Sequence, residues 1–259
     1  MNEPILLNER RGPVVTLTLN RPRSRNALNP ELIAELGHAL RLIVSSDVRV
    51  VVLTGAGGAF CSGADLKAGL GGADAGNSGL TIDALHEVIR LIVSAPQPVI
   101  AAIDGAAVGF GCDLALACDL RVLSSRAYLQ EIFVKIGLMP DGGGTFWVPR
   151  LVGMGRAMEY LLLGTRIDAP LAREVGLANR VVEPQLLHSE ITELADQLAA
   201  GPPLAQERIK RALRASLAGG LDDALHREKT NQLELLRSKD LLEGVTAWAE
   251  RRPPSFKGE

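Results

Sequence analysis

Strand-like and helix-like segments alternate over the first 150 residues, and this alternation limits the chain to few architectures. Val14–Leu19 interleaves apolar residues with threonine at the two-residue period of a strand. Pro30–Val44 has helical spacing, with Asn29 placed as a cap and Pro30 at the first helical position. Residues 48–54 form a second β-branched run, closed by Gly55, and 69–79 read as a mobile glycine-rich connection. A helix is predicted over 81–93, then a strand over Val99–Ile103 entered through Pro96 and Pro98. Phe110–Ala117 predicts a buried helix and 120–123 a short strand, and from Gly155 onward the pattern is almost entirely helical. Strands alternating with helices define the α/β class, and Pro202–Pro203 mark the best internal boundary.

Aromatic residues are only 3% of the chain, so its core must be built from Ala, Val, Ile and Leu, which suits closely stacked elements. A net charge of −2 argues against general nucleic-acid or membrane-surface binding, which usually needs a basic excess. The three cysteines, Cys61, Cys112 and Cys118, are odd in number and form no CxxC pair. That speaks against a disulfide framework or a zinc site, and a reducing cytoplasm is the simplest expectation. The opening MNEPILLNERR has no apolar stretch after a basic segment, so no secretory signal is expected. The longest apolar region, 91–110, is interrupted by Pro96, Pro98 and Asp104, so no transmembrane helix is expected either.

Several catalytic motifs are absent. Gly55, Gly57 and Gly58 follow a strand, but Phe60 takes the place of the third dinucleotide-loop glycine and no P-loop lysine follows. His38, His86, His188 and His226 are dispersed, which favours structural or surface roles over metal ligation. No G-x-S-x-G elbow is present. Cys61 and Cys112 sit beside glycines, and each reads better as a small buried hydrophobe than as a nucleophile.

Three stretches together carry a resemblance: VRVVVLTGAGGAFCSGADLK (48–67), PQPVIAAIDGAAVGFGCDLALACDLRV (96–122) and FVKIGLMPDGGGTFWVPRLVG (133–153). In this order and spacing they resemble the crotonase (enoyl-CoA hydratase/isomerase) superfamily, with weaker similarity over nearly the whole chain. The resemblance implies a ββα spiral core over 1–200 and a C-terminal helical segment over 201–259 for oligomerisation and CoA-site cover. It implies chemistry on an acyl-CoA thioester with no separate cofactor, CoA being part of the substrate.

An enolate of a thioester needs donors aimed at its oxygen, and two backbone N–H groups serve well. By resemblance these are the N–H groups of Ala64 and Phe110, the second at the start of a helix whose dipole favours negative charge. The family more often has glycine where Phe110 stands, so that side chain has to be accommodated. Hydratases of the family use two glutamates. Asp113 stands at the first of these positions and Phe133, which cannot transfer a proton, at the second. Asp141, in MPDGGGT, resembles the single acid of family isomerases and the PDSGGTW pattern of ring-epoxide and ring-opened phenylacetyl-CoA isomerases. Aspartate can also simply cap a helix there, and Asp113 can simply answer a helix dipole. Glu131 is near the same region and could substitute for a missing acid, although a solvated surface glutamate is the better reading, and Asp65 reads as a loop organiser.

The leading reading is an enoyl-CoA isomerase that moves one proton between the α and γ carbons. The alternative is a hydratase using Asp113 and Asp141, and the third is a binder of acyl-CoA without catalysis. CoA is expected at Ala64, Asp65, Leu66 and Lys67 together with Arg251, whose positions resemble those of basic groups near the CoA nucleotide. The resemblance and the apolar helix faces in 204–217 and 221–236 imply a homotrimer or dimer of trimers.

Overall fold

The structure, a computed structural model, describes residues 3–66 and 78–259. Lys67 and most of the glycine-rich stretch lie outside the described residues. The elements are β1 (Leu6–Arg11), β2 (Val14–Leu19), α1 (Pro30–Val44), β3 (Val50–Gly55), α2 (Ser78–Ser94), β4 (Val99–Ile103), β5 (Ala106–Val108), α3 (Phe110–Ala117), β6 (Leu120–Ser124) and β7 (Tyr128–Gln130). They continue as α4 (Gly144–Val152), α5 (Met154–Leu163), β8 (Arg166–Asp168), α6 (Ala169–Glu174), β9 (Arg180–Val182), α7 (Leu187–Ala199), α8 (Pro203–Ser216), α9 (Leu221–Leu235) and α10 (Lys239–Glu250).

Two sheets organise the described residues. The larger runs β1-β2-β3-β4-β6-β9 and is parallel except for the β1–β2 pair. The smaller runs β5-β7-β8 and is extended by a parallel bridge between Cys61 and Ala107. After β3 the chain touches the small sheet at Cys61 and returns through α2 to β4. After β4 it enters β5 and returns through α3 to β6. After β6 it enters β7 and continues into α4 and α5. Each turn thus places a loop between the end of a large-sheet strand and the small sheet, and the site is built from these loops.

The centre of the large sheet is covered on both faces, which explains why β3 and β4 are almost wholly apolar. Val51 and Leu53 point to the core with α1, α2 and α3. Val50, Val52, Ile100 and Val122 point the other way, onto Leu187, Ile191 and Leu194 of α7. Asn29 caps α1 as its sequence predicts, its side chain accepting the Leu32 N–H at 3.0 Å.

The almost entirely helical pattern expected after Gly155 is interrupted by β8 and β9, each three residues long. β9 closes the large sheet beside β6. The C-terminal helices bury little. α9 buries no residue, and Leu213, Leu225, Leu242 and Trp248 are exposed, Trp248 by 82%. α8 is nevertheless fixed to the core. Lys210 donates to the carbonyls of Ile92 and Gln97 and pairs with Asp119 at 2.7 Å, and Arg214 pairs with the same carboxylate at 3.0 Å.

Candidate active site

The loop after β3 is held by the segment after β2. Asn26, fully buried in a left-handed conformation (φ 58°), donates from Nδ2 to the carbonyls of Ala56 and Ala59 and accepts the Arg21 N–H. Asparagine is one of the few residues that take this conformation readily. Leu28 donates to the Gly63 carbonyl at 2.8 Å and accepts from the Asp65 N–H at 2.9 Å. Arg21 reaches the Asp65 carboxylate at 2.9 Å, so Asp65 ties the loop down. These contacts fix Ala64, and no hydrogen bond of its N–H is recorded among the described residues.

The second donor comes from the turn between β5 and α3. Gly109 has φ 54° and ψ −129°, a conformation essentially restricted to glycine. It turns the chain into α3, leaving the Phe110 N–H, like Ala64's, without a backbone acceptor among the described residues. The two loops touch: a Cβ placed on Gly63 would lie 3.5 Å from the Phe110 nitrogen. The Phe110 side chain is buried, its ring edge 2.8 Å from where a Cβ on Gly142 would stand, so it fills core rather than the space before its own N–H. Phe133, also buried, places its ring 3.8 Å from a Cβ built on Gly109, so an aromatic edge flanks the turn instead of a second acid.

Three carboxyl groups gather behind these donors. Asp113, fully buried one turn into α3, accepts the Gly142 N–H on Oδ2 at 2.9 Å, while its Oδ1 has no hydrogen-bond partner. Burial pushes it up to about 8, against the pull of the Gly142 N–H and with further help from the charge of Asp141. Asp141 is half-buried, and its Oδ1 also lacks a partner. It does not cap α4, whose N-cap is Gly143 with no side-chain cap bond. Burial raises Asp141 above the usual aspartate range, and nearby His86 offsets part of this.

Glu131 overturns the expectation of a solvated surface residue. It is 3% exposed, and neither carboxyl oxygen has a partner. A Cβ on Gly144 would stand 2.8 Å from Asp113 Oδ1 and 3.0 Å from Glu131 Oε1, so the two groups converge on the start of α4. Burial first, and Asp113 second, hold Glu131 well above the usual carboxylate range. The Cys112 thiol beside it is buried and pushed well above its ordinary value, and burial takes Cys61 to about 12, so both are unreactive.

Residues 9–259 match the family model described as enoyl-CoA hydratase/isomerase. The chain belongs to the enoyl-CoA hydratase/isomerase family. It is 42% identical to a probable enoyl-CoA hydratase of Rhodobacter capsulatus, with 95% of each chain covered. It is 37% identical to the 1,2-epoxyphenylacetyl-CoA isomerase of Escherichia coli over the full length of both. Its structure superposes on the crystal structure of an enoyl-CoA hydratase from Bacillus anthracis with a TM-score of 0.95, 37% identity and coverage of 99% and 100%. The fold is the crotonase fold that the three motifs implied.

Asp113, Glu131 and Asp141 lie close together, with the Phe110 ring against Gly142 and the Ala64 loop against the Phe110 N–H; Glu131 was expected at the surface, and His86 was not singled out. Arg251 does not join them. It closes α10, exposed, and no hydrogen bond or ion pair among the described residues links it to 64–66. Leu66 is 53% exposed, and Lys67 lies outside the described residues. No group of three His, Cys, Asp or Glu side chains among the described residues is arranged to hold a metal, and no helix there is long and apolar enough to cross a membrane.

Proposed function

We propose that this family member is an enoyl-CoA isomerase that shifts a double bond by moving one proton between the α and γ carbons of an acyl-CoA thioester. The observation that carries the reading is Asp141: a half-buried carboxyl whose Oδ1 has no partner, with no capping duty and a raised proton affinity, in a loop whose Gly142 packs on the ring of Phe110. The thioester oxygen sits between the Ala64 and Phe110 N–H groups, and the N-terminal end of α3 favours the charge that develops there. Asp141 as carboxylate takes the α-proton, the electron pair delocalises onto the thioester oxygen, and the same carboxyl returns the proton to the γ-carbon. One acid suffices, consistent with Phe133 in the place of the second. CoA is part of the substrate, held by residues 64–67 with Arg251 supplied as cover by the C-terminal helices of an adjoining copy in a trimer or dimer of trimers. The exposed apolar faces of α9 and α10 support such an assembly. Three buried free thiols fit a cytoplasmic enzyme.

A hydratase is the second reading, favoured by Asp113. It adjoins Asp141 and keeps its proton up to about pH 8, so Asp141 could activate water for the β-carbon while Asp113 protonates the α-carbon. Incubation with a 3-enoyl-CoA and with a trans-2-enoyl-CoA separates the two: gain of conjugated absorbance marks isomerisation, and its loss marks hydration. Asp141→Asn is expected to lower double-bond migration by about 10²- to 10⁴-fold with CoA affinity nearly unchanged. Near-full isomerase activity in that variant would remove Asp141 from the reaction.

A further inference from the structure

Asp141 lies in a stretch, MPDGGG, that has little to hold it by itself. Three glycines follow it, and Gly143 is in the left-handed region at φ 104°. Yet the peptide unit that joins Asp141 to Gly142 is bound at both ends. Its N–H, on Gly142, donates to Asp113 Oδ2 at 2.9 Å. Its C=O, on Asp141, lies 2.7 Å from His86 Nε2. A carbonyl oxygen can only accept, so Nε2 carries the proton of this bond whether the ring is neutral or charged. His86 is itself held at a fixed place, because its neighbours on α2, Leu85 and Val88, are buried in the main core.

We propose that His86 is a positioning residue for Asp141: its ring N–H and the Asp113 carboxyl oxygen clamp the Asp141–Gly142 peptide and thereby aim the Asp141 carboxyl at the substrate. The inference rests on Asp141 being the proton-transferring acid. A peptide pinned by one bond can rotate about the other, whereas one pinned on its opposed N–H and C=O cannot. The flexibility of the glycines is then confined to the far side of Gly142, where α4 begins. His86 also acts through charge. Among the described residues, the titratable groups facing Asp141 are His86 from α2, Asp113 from α3 and Glu131 from the stretch after β7. His86 is the sole base among them, and it opposes the rise in proton affinity that burial imposes on Asp141.

The test is a set of His86 variants, assayed in the full-length protein on an enoyl-CoA that the parent turns over. Glutamine can present an N–H close to where His86 Nε2 stands, and leucine cannot. His86→Leu is expected to lower kcat by about 10²-fold with KM little changed, because a displacement on the order of 1 Å suffices for such a loss. His86→Gln is expected to recover kcat to within about threefold of the parent, on the same geometric argument. Both variants should move the acid limb of the pH–rate profile upward, since both remove the imidazole that favours ionised Asp141. A purely structural histidine would leave that limb in place. Parental kcat in His86→Leu, or a glutamine variant as slow as the leucine one, would overturn the clamp. Asp141→Asn, run alongside, separates the two ideas. If it is inactive while His86→Leu is fully active, only the clamp fails. If it is itself fully active, the isomerase reading fails and the clamp falls with it.

Discussion

Adding a single methyl group at Gly111, which has no side chain of its own to react, should slow this enzyme. Gly111 is the second residue of α3, and a Cβ there would overlap the Cys61 carbonyl oxygen and stand 2.8 Å from the Cys61 Cβ. The carbonyl has no room to yield, because it accepts the Val108 N–H at 2.9 Å and Cys61 is fully buried. α3 must therefore withdraw by roughly 1 Å to restore ordinary contact distances. The Phe110 N–H moves with it, away from Ala64. Overpacking of this kind costs about 1–3 kcal/mol. At about 2–4 °C per kcal/mol for a domain approaching this size, Gly111→Ala should melt lower by several degrees. Turnover should suffer more than stability, since displacing one donor by about 1 Å lowers kcat on the order of 10²-fold. The assay pairs turnover of an enoyl-CoA with a thermal scan, both well below the melting transition. Gly155→Ala is the control: nothing lies within 4 Å of its Cβ on α5, and it should gain about 0.5–1 kcal/mol with unchanged kcat. A Gly111→Ala enzyme that melts lower but turns over at the parental rate would show that the close approach of α3 to Cys61 serves packing alone.

Three further outcomes are expected. Asp113 binds its proton more tightly folded than unfolded, so the folded state holds an extra proton between the ordinary aspartate range and about pH 8, and stability must fall as pH rises through that window. Asp113→Asn should flatten this slope in thermal scans from pH 5 to 8, and Glu131→Leu should raise stability by about 1–3 kcal/mol by removing a buried carboxyl with no partner; an unchanged slope and a lower melting point would contradict the buried cluster. Lys67→Ala and Arg251→Ala should each weaken CoA binding in calorimetric titration, and unchanged affinity in both would remove them from the nucleotide site. Light scattering at low micromolar concentration should give a multiple of 27.5 kDa, and a mass at 27.5 kDa itself would leave the apolar faces of α9 and α10 without the partner proposed for them.

The fold was legible wherever periodicity and caps agreed. β2, α1, β4 and α3 begin and end where the residues predict, because apolar spacing, Asn29, the prolines at 96 and 98 and Gly109 all act locally. β1 was not legible: LLNERR is a polar edge strand, with four of its six residues exposed. β5, β7, β8 and β9 are three residues each, too short to show a period, and their pairing is decided by the rest of the sheet. Ala64, Phe110, Asp113 and Asp141 were singled out through family resemblance rather than periodicity. Glu131 was noticed but expected at the surface because a glutamate is usually solvated, and its burial comes from packing against α3 and the start of α4. His86 was passed over as one of four scattered histidines. Its bond to the Asp141 carbonyl spans 55 positions, so nothing near it in sequence announces the contact.

The chain has two tryptophans, and their settings give it a built-in pair of optical reporters. Trp147 is 9% exposed on α4, edge-on to Phe146 with ring centroids 4.6 Å apart and beneath the Arg214 guanidinium at 4.7 Å. Trp248 is 82% exposed on α10. Trp147 should therefore emit to the blue, shielded from acrylamide, and Trp248 to the red, open to quenching. Rearrangement at the start of α4 changes the blue component, whereas burial of α10 against another copy shifts and protects the red one. A single fluorescence spectrum can thus follow the start of α4 and the surroundings of α10 as separate events, without a label.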